Sequence, residues 1–83
     1  MLYHNELIQE LNALNLFNLD STQSGIKVHS NANPDVIAAV KRLYVKGLVT
    51  QSDGGYLTPL GYDAAQFNLT LLTILSTESR QPI

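Results

Sequence analysis

The chain contains no cysteine, which excludes a disulfide framework, a thiolate metal site and cysteine nucleophilic chemistry, and makes the reducing cytoplasm the expected compartment. No stretch approaches the roughly eighteen consecutive apolar residues that span a bilayer, so no membrane partner is expected. The opening Met1-Leu2-Tyr3-His4-Asn5-Glu6 also lacks the basic region and apolar run of a targeting peptide. The two histidines, His4 and His29, have no second histidine or carboxylate at ligand spacing, so neither metal binding nor general-base work is expected of them. No serine stands in a glycine elbow, and no pair of carboxylates is spaced along one element in an apolar setting. Asp53-Gly54-Gly55 lacks the strand-to-helix setting and the lysine of a phosphate loop. The chain therefore reads as non-enzymatic, with no cofactor and no small-molecule ligand in view.

Basic residues are scarce too, five against seven acids for a net charge of −2, and overall charge speaks against a nucleic-acid partner. Their distribution is uneven. Between Ser21 and Ser52 four bases (Lys27, Lys41, Arg42 and Lys46) accompany one acid, Asp35, whereas the remainder has Arg80 alone against six acids. The middle of the chain is locally basic.

What is present suits one folded unit. Eighty-three residues, 45% of them hydrophobic and 14% charged, support a single core, so residues 1–83 form one domain. Leu7, Ile8, Leu11 and Leu14 recur at helical spacing with Glu6, Gln9, Glu10 and Asn12 opposite, predicting a helix over 5–16 with Asn5 as its cap. Asp20-Ser21-Thr22-Gln23 has the form of a capping box, but Gly25 leaves room for one turn at most. Ile26-Lys27-Val28-His29 alternates as a short strand. Asn33-Pro34-Asp35 opens a second helix that ends at Gly47, with Leu48 set to pack on Leu43 in a Schellman ending. On that helix Val36, Ile37, Val40, Leu43 and Tyr44 share one face, and Ala38, Lys41, Arg42, Val45 and Lys46 share the other. Residues 48–58 read as a β-hairpin turning on Asp53-Gly54. Thr58-Pro59 starts a third helix over 59–77, followed by a polar, frayed tail over 77–83. The class is α+β: three main helices and a small antiparallel sheet with a β-hairpin wing.

Lys46-Gly47-Leu48-Val49, the glycine-tipped hairpin and Tyr56-Leu57-Thr58-Pro59-Leu60-Gly61 together resemble the winged helix-turn-helix of bacterial transcriptional regulators, over Val36 to Ala65. Over its full length the chain also looks like a small family of bacterial proteins of about this size with no assigned activity. The winged-helix resemblance implies that the second helix is a recognition helix and that DNA is the partner, in transcription regulation or as an accessory factor. The chain departs from the pattern in three places. Asn18 to Asn33 is too short for a full strand, a full second helix and the turn together, so the helix-turn-helix is truncated. The tip Gln51–Gly55 carries no Lys or Arg, and Asp35, Ala38 and Ala39 offer no bidentate base reader.

Two sets of candidate residues follow. Lys41, Arg42 and Lys46, flanked by Lys27 and His29, could neutralise phosphates. On the third helix Leu60, Ala64, Phe67, Leu71, Ile74 and Leu75 form the stripe assigned to the core. Tyr62, Ala65, Leu69 and Leu72 form a second apolar strip assigned to a partner, which predicts a homodimer through that helix. The two functional expectations are a winged-helix-like DNA-binding factor and, alternatively, a protein-interaction or dimerisation module that binds no nucleic acid.

Overall fold

Three side-chain caps fix where the helices begin. The Leu7 N–H donates to His4 Nδ1 at 3.3 Å, the Asp35 N–H to Asn33 Oδ1 at 2.8 Å, and the Gly61 N–H to Thr58 Oγ1 at 3.0 Å. Each bond satisfies an N–H that the helix itself leaves orphaned. In the computed structural model, which describes residues 2–21 and 23–77, these caps open α1 (Asn5–Leu14), α2 (Pro34–Val45) and α3 (Pro59–Leu75). The first cap falls one residue before the expected Asn5. At the expected capping box, 20–23, none of the described residues is helical: Ser21 Oγ accepts from the Gln23 N–H in a local turn, and Thr22 lies outside the described residues. The tail beyond Thr77 also lies outside them.

The α2 ending is the Schellman motif that the sequence predicts. Gly47 has φ of +81°, its N–H donates to the Tyr44 carbonyl at 3.0 Å, and the Leu48 N–H donates to the Leu43 carbonyl at 2.9 Å. The chain then enters a three-stranded antiparallel sheet of order β1-β3-β2, made of Ile26–Lys27, Gly54–Leu57 and Val49–Gln51 respectively. The hairpin turns on Ser52-Asp53, one residue earlier than expected. Pairing of Gln51 with Gly54 and of Val49 with Leu57 leaves one extra residue on β3, and Gly55, with φ of +71°, absorbs the bulge.

The core lies where α1, α2 and the sheet meet: Ala13, Leu14, Phe17, Ala39, Val40, Leu43 and Val49, with Ala65 from α3. Three helices and a small antiparallel sheet make an α+β arrangement compatible with a winged-helix-like fold. On α2, Ala39 takes the inward place expected for Tyr44, which is 46% exposed.

The roll of α3 about its axis is the main departure from the sequence reading, and Gly61 explains it. A Cβ at Gly61 would stand 1.8 Å from the Leu48 carbonyl oxygen, so the helix lies against the hairpin base on its glycine side. Residues four, seven and eleven positions on, Ala65, Asn68 and Leu72, follow on the same side. Accordingly Ala65 is buried, and the Asn68 amide donates to the Leu11 carbonyl at 2.9 Å. Thr58 locks this corner. Its hydroxyl donates to the Gly47 carbonyl at 2.6 Å while accepting from the Gly61 N–H, and its own N–H donates to the Leu48 carbonyl at 3.0 Å.

Candidate interaction surfaces

The five residues expected to contact phosphate do not form one surface. Arg42 and Lys46 turn toward α1, where Glu10 is 4% exposed and belongs to the inward row of that helix with Ala13 and Leu14. Arg42 Nε donates to Glu10 Oε2 at 2.8 Å, Lys46 Nζ donates to Glu10 Oε1, and Arg42 Nη2 donates to the Glu6 carbonyl at 3.1 Å. The Glu6 carboxylate lies 3.8 Å from Arg42 Nη1. A carboxylate this deep is tolerated only when paired. Burial pushes the Glu10 carboxyl up, but the hydrogen bonds and charges of Lys46 and Arg42 outweigh it and hold its pKa below the ordinary glutamate value. Arg42 and Lys46 thus tie α1 to α2. Their expected solvent-facing role is corrected on this point: the arginine side chain is only 27% exposed, and the lysine is engaged although half-exposed.

The other three do converge. Lys27 from β1, His29 just after it and Lys41 from α2 line one open cleft of about 450 Å³, with Ser30 and Ser52 offering hydroxyls and Asp53 at the hairpin turn. The Val28 N–H donates to the Asp53 carbonyl at 2.8 Å, which holds this end of the sheet against the turn. Lys27, His29 and Lys41 are exposed, and among the described residues neither lysine has an ion-pair partner. Among the described residues no three of His, Cys, Asp and Glu are placed to hold a metal ion.

The strips on α3 exchange places relative to the sequence reading. Of the strip assigned to a partner, Ala65 is 1% exposed and the Tyr62 hydroxyl donates to the Leu19 carbonyl at 3.3 Å, so both are spent inside the chain. Leu69 and Leu72, each 45% exposed, sit at the margin. Most of the stripe assigned to the core faces outward instead: Leu60, Phe67, Leu71, Ile74 and Leu75 are 50–74% exposed, and of this stripe Ala64 alone packs against the core. From Leu69 to Leu75 no residue of the helix is buried. Beside this stripe, Tyr3, Ile8 and Leu11 join Leu71, Leu72 and Leu75 around an apolar groove of about 400 Å³ between α1 and α3. Helical periodicity finds two strips but does not rank them. The signal that ranks them is the row of small or polar residues headed by Gly61, since close approach needs a missing side chain and Asn68 needs partners.

No described helix is long and apolar enough to cross a membrane. Among curated proteins and among solved structures nothing matches the chain. A match over residues 1–76 to the family of unknown function DUF5669 covers nearly all of it, and the chain belongs to that family.

Proposed function

We propose that the chain is a non-catalytic protein-interaction module of winged-helix-like build, whose working surface is the outward apolar face of α3 with the adjoining groove on α1. One observation carries this reading. The second half of α3 presents Phe67, Leu71, Ile74 and Leu75 at 50–74% exposure, and not one residue from Ala64 to Thr77 is charged. A helix face meant for water ordinarily carries charge, and a contiguous apolar face of this size marks a contact surface. Phe67→Glu tests it. At submicromolar concentration the variant should keep its helical circular dichroism and melt within about 2 °C of the parent, because an outward site tolerates a charge. Loss of the fold would place Phe67 in the core and remove the reading.

A second reading is favoured by the convergence of Lys27, His29 and Lys41 on one cleft. As an accessory DNA-binding factor, the chain would contact the phosphate backbone there without reading base edges, since phosphate contacts position a protein but carry no sequence. Two lysines per chain give four phosphate contacts in a dimer, and affinity should then fall about a hundredfold between 50 and 200 mM salt. A labelled-duplex titration at both salts decides it, and no binding at the lower salt would sink this reading.

A further inference from the structure

We infer that the outward face of α3 is covered by a second copy of this chain, in a closed two-fold dimer. The inference rests on the interaction-module reading and names its partner.

Area is the first argument. Seven large apolar side chains contribute to this face, Phe67, Leu71, Leu72, Ile74 and Leu75 of α3 together with Tyr3 and Ile8, at 42–74% exposure each. At about 150–250 Å² for a large side chain, that amounts to roughly 800 Å² per chain, which is what one partner brings to an interface of standard size. A smaller occupant, such as a short peptide, would leave much of it wet.

Shape is the second. The face carries a ridge, Phe67 and Ile74, directly beside the groove walled by Ile8, Leu11, Leu72 and Leu75. A two-fold axis repeats every contact, so one protomer's ridge enters its partner's groove and the reverse follows by symmetry. An isologous contact needs both halves of the complement on one surface, and this surface has them.

Charge is the third. Any ionised group near a two-fold axis meets its own like, so a self-pairing face must be nearly free of charge. Gln66, Thr70 and Thr73 are the exposed polar residues between Phe67 and Ile74 or next to them, and none ionises; the one charge of α3, Asp63, lies a turn before Phe67 at the N-terminal end of the face. Thr70 and Thr73 further direct their hydroxyls to the carbonyls of Gln66 and Leu69, at 2.9 and 2.8 Å, so they approach a partner without unpaired donors. A lipid surface fits poorly, because interfacial helices set Lys and Arg beside their apolar face and α3 has neither.

Sedimentation equilibrium from about 1 to 100 µM tests the inference. The parent should be dimeric in the upper part of the range. Phe67→Glu and Ile74→Lys should each raise the dimer dissociation constant at least thirtyfold, as expected for a residue near the centre of an interface. Leu16→Glu, which alters an apolar side chain 53% exposed outside this face, should leave it unchanged. A parent that stays monomeric at 100 µM overturns the inference, as does a dimer indifferent to both α3 variants or an open series of larger species. Capture of a monomeric parent by neutral phosphatidylcholine vesicles would equally overturn it in favour of lipid. A monomer whose Phe67→Glu variant still folds would leave the outward roll of α3 standing, so failure of the dimer is distinguishable from failure of the interaction-module reading.

Discussion

Replacing Glu10 by alanine should cost this domain a large part of its stability. The carboxylate is 5% exposed and bonded to both Arg42 and Lys46, so the variant strands two cations that lie against α1. Removing one partner of a fully buried pair costs about 3–5 kcal/mol. Here the cations keep 27% and 50% of their side-chain surface in water and can turn outward, which brings the expected loss to about 2–3 kcal/mol. For a domain of this size, whose whole stability is about 4–12 kcal/mol, that lowers the melting temperature by roughly 10–20 °C. The same contact predicts a pH dependence. The folded-state pKa of Glu10 lies below its ordinary value of 4.5, so the unfolded chain binds the proton more readily. The stabilisation is therefore complete well above pH 4.5 and is lost as the pH falls through the lower, folded-state pKa. Urea titrations of parent and variant at pH 7 and pH 3.5 measure both effects, and the gap between the two proteins should narrow at the lower pH. A loss under about 0.5 kcal/mol at pH 7 would refute the reasoning, and Arg42 and Lys46 would return to the surface available for anions.

Gly61→Ala should be more damaging than its size suggests, because the new methyl meets the Leu48 carbonyl at 1.8 Å and backbone must move to relieve it; a loss of about 3 kcal/mol or failure to fold, read by thermal melting, is expected. Gly47→Ala meets nothing within 4 Å but is held at φ of +81°, so it should cost only about 1–2 kcal/mol by the same assay. If duplex DNA binds a dimer, Lys27→Ala and Lys41→Ala should each make the log–log salt slope shallower by about two units, one for each chain, while Arg42→Ala should leave it unchanged because its guanidinium is spent on Glu10.

The parts of the fold that local chemistry dictates were legible from the residues. Asn33-Pro34 and Thr58-Pro59 mark their helix starts because a cap and a proline act within one turn, and Gly47 marks its ending because no other residue accepts that φ cheaply. That the spare strand joins the hairpin follows from the hairpin's need of a third strand, but its choice of the β3 edge does not. Contacts set by packing were not legible. Glu10 reads as a solvent residue on α1, and only the approach of α2, with two cations on its near side, turns that face inward. On α3 the large apolar residues outweigh Gly61 and Ala65 in any pattern of hydrophobicity, yet the small ones decide which side touches the hairpin. The basic candidates separated for the same reason: Lys41 and Arg42 are neighbours in sequence but lie about 100° apart round the helix, so one opens on the cleft and the other on α1.

The corner held by Thr58 bears on the order in which the chain assembles. Its hydroxyl reaches a carbonyl 11 positions away, and the Schellman ending and the hairpin lie within the same stretch, so this unit closes with short loops. The bonds from α2 to α1 span 32 and 36 positions and need a far larger loop to be brought together first. Residues 33–65 are therefore the expected nucleus and α1 the late arrival. Substitutions at Thr58 should slow refolding, whereas those at Glu10 should chiefly hasten unfolding.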